Sequence, residues 1–363
     1  MRHAIWNYRM NFLILFCLAV LFWSLSGNAY MELKKQPPST TFQNVGSLLA
    51  EDYEPMLRSE AQAKDPLPFT MWTQSDNQRL EGLGTGRVQN VSWLAIKGDT
   101  RLLLPVMQTL FEDDTDGCLI DQATAKQLFR NNNAVGNTVK MGGKEYIVRG
   151  VIDGPARTMI TQLARESGHI LSNITVSGTD NTETFLMRHG LSAAITVKTN
   201  QYVSLARILY MLPALAVILV SMMLLGLLRR HWKAYQVRHL LLSVGMLSVG
   251  TASLLLLFTF IPETLIPSQW SDFEFWETAG RDFIQIVVDF ISSAKYRPDL
   301  GWLYGVFKSA SGVLSAHFVM CLYNLFRIHL SGNVMIRLRD ESVHNTIMFE
   351  HLENNQKVLQ DVN

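Results

Sequence analysis

The stretch that decides the fold is residues 117–153, GCLIDQATAKQLFRNNNAVGNTVKMGGKEYIVRGVID. Its first four residues, GCLI, predict a short strand. Asp121 then stands at the N-cap of a predicted helix, QATAKQLF, in which Ala125, Leu128 and Phe129 share one face. The Asn and Gly residues of NNNAVGN tolerate the left-handed backbone that ends a helix. This half of the stretch predicts a strand followed by a capped helix.

The second half of the stretch predicts a β-hairpin. TVKM and KEYIVRGVI alternate polar and apolar residues, and Gly142-Gly143 between them is a strong signal for a two-residue turn. Val139 and Tyr146 fall on the apolar side of the two strands, whereas Lys140 lies on the other side. A strand, a helix and a hairpin need a larger sheet to pack against, so the stretch indicates an α+β domain.

The flanking residues supply further elements of that domain. A three- and four-residue spacing of apolar residues predicts a helix within 47–63, and the prolines of DPLPFTMWTQ end it. Alternation predicts strands at 87–98, 170–176 and 193–197. We therefore expect one mixed domain over residues 30–207.

Long charge-free stretches surround this domain in the 363-residue chain. Residues 11–29, 208–228 and 240–262 contain no charge, and 302–326 contains only Lys308 and His317. Each is long enough to cross a hydrocarbon core of about 30 Å, so we predict four transmembrane helices. Cleavage of the first as a secretory signal peptide remains open, since Arg2 and Arg9 precede it and SLSGNAY offers small residues, but its apolar run exceeds the usual length.

The distribution of charge predicts the orientation. The loop 229–239, RRHWKAYQVRH, has four Lys or Arg residues and no acid, and residues 1–10 and 327–363 also carry basic residues near the spans. By contrast, residues 263–301 have seven acids and three Lys or Arg residues. An amphipathic helix is predicted at 281–295, which lies on the outer leaflet or caps the external domain. The positive-inside rule places 1–10, 229–239 and 327–363 in the cytoplasm, and 30–207 and 263–301 outside.

The cysteines bear on how the external domain is held together. Cys17 and Cys321 fall in predicted spans, which leaves Cys118 alone in the domain. A single thiol forms no intrachain disulfide there, so the domain depends on its hydrophobic core, as expected at a bacterial cell surface.

The chain lacks the motifs of catalysis. It contains no P-loop, H-E-x-x-H, G-x-S-x-G or C-x-x-C motif, and its histidines lack metal-ligand spacing. We interpret GLGTGRVQ (82–89) and MRHG (187–190) as turns, and EDDTD (112–116) as a solvated turn in preference to a cation site. We therefore predict no catalytic, cofactor or metal site and no enzyme activity. Lys308 and His317, as ionisable groups within a span, are candidate intramembrane polar residues.

The opening stretch resembles the periplasmic core domain of MacB/FtsX-type ABC transporter permeases. The resemblance rests on Ala125, Leu128, Phe129, Val135, Gly136, Gly143, Tyr146, Val148, Gly150 and Val151. The predicted order of one helix, a large external domain and three helices, with both termini inside, is similar to that family as well.

The resemblance implies a membrane subunit that couples a separate cytoplasmic ABC ATPase to the external domain, for export or mechanotransmission. Its implied partners are that ATPase, a second permease subunit in a homo- or heterodimer, and membrane lipid, with no nucleic acid and no cofactor. The ATPase would contact the inside loop at Arg229, Arg230, Trp232, Lys233 and Tyr235. This loop is shorter and more basic than in the family. The alternative is therefore a membrane-anchored sensor or scaffold whose external domain binds a partner without transport.

Overall fold

The computed structural model describes residues 2–104, 109–213 and 291–322, together with isolated positions between 244 and 288. The predicted spans 208–228, 240–262 and 302–326 are described only in part, and the loop 229–239 and the tail 327–363 lie outside the described residues. Within 263–301, the described positions 281, 284, 288, 291 and 292 are helical, and the helix has ended at Ser293. The remaining positions of the amphipathic helix predicted at 281–295, up to 290, lie outside the described residues.

The helices and strands of the continuous described ranges have the following bounds. The helices are α1 (Arg2–Lys35), α2 (Tyr53–Ala61), α3 (Gln122–Phe129), α4 (Glu183–Arg188), α5 (199–213, where the described range ends) and α6 (Arg297–Leu322). The strands are β1 (Ser39–Leu49), β2 (Phe69–Gly82), β3 (Arg87–Gly98), β4 (Gly117–Asp121), β5 (Thr138–Met141), β6 (Lys144–Ile152), β7 (Thr158–Gln162), β8 (Ile170–Ser177) and β9 (Ile195–Lys198). We call residues 39–198 the β domain. Its mixed α+β content is as predicted.

Strand β2 organises the sheet because it pairs with three other strands. It runs antiparallel to β3 along one edge, while its opposite edge pairs first with β8 and then with β5. Six strands form a closed ring in the order β2, β3, β7, β4, β6, β5 and back to β2. The other three strands extend the sheet from β2 in the order β8, β1, β9. The register of β2 against β3 shifts between Ser75 and Gln78, where Asn77 has a φ of 57°. Such a bulge bends a strand, which lets β2 serve two neighbours on one edge.

The strand–helix unit forms as the sequence predicts. The Asp121 side chain accepts hydrogen bonds from the amides of Ala123 (2.9 Å) and Thr124 (3.2 Å) at the start of α3. It also accepts one from the Thr158 amide at 2.7 Å, which ties β7 to the cap. The left-handed residue after α3 is Arg130, with a φ of 57°, so the helix stops just before the Asn residues that were expected to end it.

The hairpin also forms as predicted. Gly142 and Gly143 have φ values of 57° and 88°, the positive values that a tight two-residue turn requires. Val139 and Tyr146 are buried and Lys140 is exposed, so the alternation assigns the faces correctly.

The core of the β domain consists of three clusters of buried apolar side chains. One surrounds Phe42 beneath α2 and α4, a second surrounds Leu128 of α3, and a third surrounds Trp72. Burial of an aromatic or large aliphatic side chain contributes about 1.5–3 kcal/mol each, so these clusters provide the stability that disulfides would otherwise supply.

The sequence analysis missed β1, β2 and β7, and the helix expected within 47–63 begins only at Tyr53. No strand was predicted before that helix, yet Thr40, Thr41 and Gln43 are buried within β1. The Thr41 hydroxyl lies 2.9 Å from that of Thr175 in β8, and the Thr40 hydroxyl donates to the Gly178 carbonyl just after β8. A strand with polar residues on its buried side has no apolar alternation to detect.

The chain divides into two compact units. The first combines residues 1–26 and 311–363, and within its described part α1 and α6 approach closely: a Cβ on Gly312 would lie 2.8 Å from the Phe22 carbonyl oxygen. The second unit is residues 27–310, which contains the β domain and the adjoining ends of α1, α5 and α6.

Within the part of the chain that the structure describes, one helix, α6, is long and apolar enough to cross a membrane. The predicted span 11–29 lies inside the continuous helix α1. The arrangement of four membrane-spanning helices stays a prediction.

Candidate functional site

The β domain connects to two helices through adjacent strands. Three residues separate α1 from β1, and α5 begins directly after β9. β1 and β9 are antiparallel neighbours with Thr40 opposite Lys198. The Thr199 hydroxyl accepts a hydrogen bond from the Ser39 amide (2.8 Å) and donates one to the Ser39 carbonyl (2.9 Å), which fixes the start of α5 to the start of β1.

A third helix reaches the β domain through residues 293–299, which we call the docked segment. The side-chain amide of Gln43 in β1 donates a hydrogen bond to the Ala294 carbonyl at 3.0 Å. The Arg297 amide donates to the Gln74 side-chain oxygen in β2 at 2.8 Å. The chain just before α6 is thus bound to two strands that lie far from it in sequence.

The Arg297 side chain extends the same attachment. Its Nε donates to the Ser92 hydroxyl of β3 at 2.9 Å, and its Nη1 donates to the Ala156 carbonyl, after β6, at 2.8 Å. Within the described ranges, Arg297 makes no ion pair. The guanidinium therefore bridges β3 and the loop after β6.

An aromatic contact accompanies these hydrogen bonds. The Tyr296 ring meets the Trp72 indole edge-on, with 5.2 Å between centroids and 89° between planes. Trp72 is itself fixed, because its Nε1 donates to the Thr175 hydroxyl at 2.9 Å. Edge-to-face pairs of this kind add about 0.5–1.5 kcal/mol beyond the burial of their surface.

Beneath the β domain, the ends of three helices share an apolar cluster, which we call the helix cluster. Its buried members are Tyr30, Leu33, Val197, Tyr202, Ala206, Trp302 and Val306. Two glycines allow the close approach: a Cβ on Gly305 would lie 2.5 Å from Leu33 Cδ2, and one on Gly27 would lie 2.8 Å from the Tyr210 ring. α1, α5 and α6 are therefore packed against one another where they meet the β domain.

Asp299 joins the docked segment to α5. It is 7% exposed, its carboxylate accepts from the Tyr296 amide at 3.1 Å, and it interacts with the Tyr202 hydroxyl. Burial, followed by the negative charge of Asp299, raises the pKa of Tyr202, so that the hydroxyl stays protonated and donates to the carboxylate.

The predicted intramembrane residues have ordinary partners. Lys308 Nζ lies 3.1 Å from Glu32 Oε2 of α1. His317 Nδ1 lies 2.9 Å from the Val313 carbonyl, one turn earlier in α6. The predicted ATPase contacts Arg229, Arg230, Trp232, Lys233 and Tyr235 lie outside the described residues, so that assignment stays a prediction.

The acidic stretch 112–116 distributes its carboxylates among separate partners. Asp114 pairs with Arg149 at 2.8 Å, Asp116 pairs with Lys144 at 3.4 Å, and Glu112 accepts from the Tyr53 hydroxyl at 3.1 Å. Among the residues the structure describes, no group of three or more His, Cys, Asp or Glu side chains is placed to hold a metal ion.

The MRHG stretch proves to be the end of α4 and forms a buried ionic contact. The Glu60 carboxylate contacts Arg188 at 2.5 Å and His189 Nε2 at 2.9 Å, and accepts from the Leu67 amide at 3.0 Å. Burial opposes ionisation of Glu60, but the hydrogen bonds from Leu67, His189 and Arg188 outweigh it and lower its pKa. This contact ties α2 to α4.

The docked segment is the feature that sequence reasoning missed. The charge distribution predicted an outer loop for residues 293–299, and the amphipathic pattern of 281–295 left open a helix that caps the external domain, but no pattern specified hydrogen bonds from 294 and 297 to β1, β2 and β3. One signal was present: Pro298 follows Arg297, and proline is favoured in the first turn of a helix, where α6 begins.

Comparison with known proteins relates residues 33–208 to one domain family. Residues 33–208 match the family model of the MacB-like periplasmic core domain. The periplasmic region of MacB from Actinobacillus actinomycetemcomitans aligns at 18% identity and a TM-score of 0.35, covering 45% of this chain and 89% of that one. The extracellular domain of the noncanonic ABC-type transporter YknZ from Gram-positive bacteria aligns at 14% identity and a TM-score of 0.34, covering 44% and 98%. A comparison with curated protein sequences found no match.

The chain therefore carries a MacB-like periplasmic core domain, and the resemblance inferred from residues 117–153 is confirmed.

Proposed function

We propose that this chain is a permease-like membrane subunit of a MacB/FtsX-type ABC transporter. In this proposal a separate cytoplasmic ATPase drives the membrane helices, and the β domain outside the membrane receives the motion for export or mechanotransmission. The termini and the loop 229–239 lie in the cytoplasm, and a second permease subunit completes the assembly.

The attachment of three helices to one β domain carries the proposal. α1 and α5 continue into β1 and β9, and the docked segment holds α6 through four hydrogen bonds to β-domain residues. At about 0.5–1.5 kcal/mol net for each bond, separation of the docked segment costs roughly 2–6 kcal/mol. When the helices move, the β domain is therefore expected to move with them, because separation of the docked segment from it is unfavourable.

The family match supports the same function. The matched range, 33–208, starts in the last turn of α1 and ends within α5. The matched domain thus includes both covalent connections to the helices, and α6 is an attachment beyond it.

Co-purification tests the proposal. The full-length chain is purified from native membranes with its bound proteins, and ATP hydrolysis is measured in nanodiscs. We expect a P-loop ATPase to accompany the wild-type chain and to be lost when Trp232 and Tyr235 are both replaced by Ala. A paired Phe111→Ala control, which removes an exposed aromatic of the β domain, should retain it.

A second arm separates coupling from assembly. Tyr296→Ala should leave the ATPase bound and hydrolysing ATP, while motion of the β domain, followed by a fluorophore on that domain, no longer responds to ATP. If no ATPase accompanies the chain under conditions that preserve other ABC transporters, the permease function is wrong and the sensor or scaffold alternative replaces it.

A further inference from the structure

Two hollows of opposite chemistry adjoin each other at Arg297. One is an apolar groove of about 550 Å³, lined by Leu303, Tyr304 and Phe307 of α6 and by the loop 154–156. The other, of about 420 Å³, is polar and is lined by residues that include Asp76 and Ser92. Arg297 and Leu300 line both hollows, so a single ligand with a charged end and an apolar end would span them.

The polar hollow is lined by two cations, Lys295 and Arg297, and by one carboxylate, that of Asp76. Arg297 uses Nε and Nη1 for Ser92 and Ala156, and within the described residues its Nη2 is bonded to no protein acceptor. The exposed Asp76 carboxylate accepts from Gln74 Nε2 at 2.9 Å and, in the same described part of the chain, forms no ion pair. A guanidinium suits a phosphate, and a carboxylate suits an ammonium group.

The apolar groove exposes large side chains at the start of α6. Tyr304 and Phe307 are 68% and 71% exposed, one turn apart on the same helix. At 1.5 Å per residue α6 extends roughly 39 Å, enough to cross a membrane, and Arg297 is its first residue. Aromatic residues near the end of such a helix are typical of the boundary between lipid headgroups and acyl chains.

We propose that the two hollows bind one zwitterionic phospholipid with a primary ammonium group, of the ethanolamine type. Its phosphate lies at Arg297, its ammonium group lies at Asp76, and one acyl chain follows Tyr304 and Phe307 along the groove. The lipid sits against the docked segment, between α6 and the β domain. This site requires that α6 crosses the membrane and does not depend on the ATPase coupling proposed above.

Native mass spectrometry of the full-length chain tests the site. The protein is released from nanodiscs that contain equal amounts of phosphatidylethanolamine and phosphatidylglycerol with the same acyl chains. We expect retained lipid to favour the ethanolamine class, and Asp76→Asn to reduce that preference about threefold, as for an exposed ion pair. Asp76 is exposed, so this variant is expected to fold, and headgroup preference is a readout that loss of stability does not move.

Two further variants locate the acyl chain. Phe307→Ser should lower the retention of both lipid classes, whereas Phe318→Ser, a matched change at an exposed position later in α6, should not. A phospholipid with a photoreactive acyl chain should label residues around Tyr304 in the wild-type protein. Equal retention of the two headgroups, an unchanged preference in Asp76→Asn, or occupation of the groove by another segment of the chain in cross-linking would each overturn the proposal.

Discussion

The ring of Tyr296 stands edge-on to the indole of Trp72, 5.2 Å away between centroids, although the two residues are separated by most of the β domain and two predicted spans. Trp72 is fully buried in β2, so Tyr296 contacts a rigid part of the β domain. The contact therefore joins the segment before α6 to the core of the β domain.

Replacement of Tyr296 by Ala should loosen the docked segment without unfolding the β domain. Loss of the aromatic pair should speed hydrogen exchange of the Arg297 amide about three- to tenfold. Exchange in β4 and β6 should not change. The matched control is Phe111→Ala, which removes an aromatic that is 81% exposed. If exchange in 293–299 is as slow as in the wild-type chain, the contact does not hold the segment.

Two glycines of α6 should respond oppositely to Ala. A Cβ at Gly305 would lie 2.5 Å from the buried Leu33, whereas one at Gly301 would meet nothing within 4 Å. Gly305→Ala should therefore cost about 1–3 kcal/mol through overpacking of the helix cluster. Gly301→Ala should raise stability by about 0.5–1 kcal/mol, because it removes the entropic cost of glycine in a helix.

Thermal unfolding of the full-length chain in detergent checks this pair. In a Leu33→Ala background, Gly305→Ala should cost less than it does in the wild-type chain, since the smaller side chain leaves room for the added methyl group. Equal effects of the two glycine substitutions would contradict the close approach of α1 and α6.

The Glu60 contact should make stability depend on pH. Its pKa in the folded chain is lowered from the ordinary value of 4.5, so the contact stabilises the fold fully above that value. The contribution is lost as the pH falls below 4.5 and through the lower, folded pKa. Glu60→Gln should be less stable than the wild type near neutral pH, and the difference should shrink in acid.

Unfolding midpoints measured from pH 7 to pH 3 test the sign. Glu54→Gln is the matched control, because Glu54 lies in the same helix and pairs with Arg58 on the surface at 3.5 Å. Its effect should be small at every pH. A Glu60→Gln deficit that grew in acid would show that the carboxylate is not the stabilising partner.

Cys118 should resist alkylation until the β domain unfolds. It is fully buried, and burial raises its pKa to about 12, so almost no thiolate exists at neutral pH. With Cys17 and Cys321 replaced by Ser, a maleimide that cannot cross membranes should fail to label intact cells until a denaturant is added. Labelling that requires rupture of the cells would place residues 30–207 inside, against the predicted orientation.

The local structure of residues 117–153 was determined by the sequence alone. An N-cap at Asp121 and a double glycine at 142–143 act through their immediate neighbours, so that short-range chemistry is sufficient to specify the strand, the helix and the hairpin. The family resemblance followed from the same residues. Charge-free stretches predict four membrane helices by composition, and that arrangement stays a prediction.

Only the tertiary structure determines that β1 is a buried strand and that the docked segment binds the β domain. Thr40, Thr41 and Gln43 are polar, and only their pairing with β8 and β9 makes burial favourable. The Arg297 side chain donates to Ser92 and Ala156, which are over 140 residues away in sequence. Contacts of that range depend on how distant elements come together, which residue spacing along the chain does not encode.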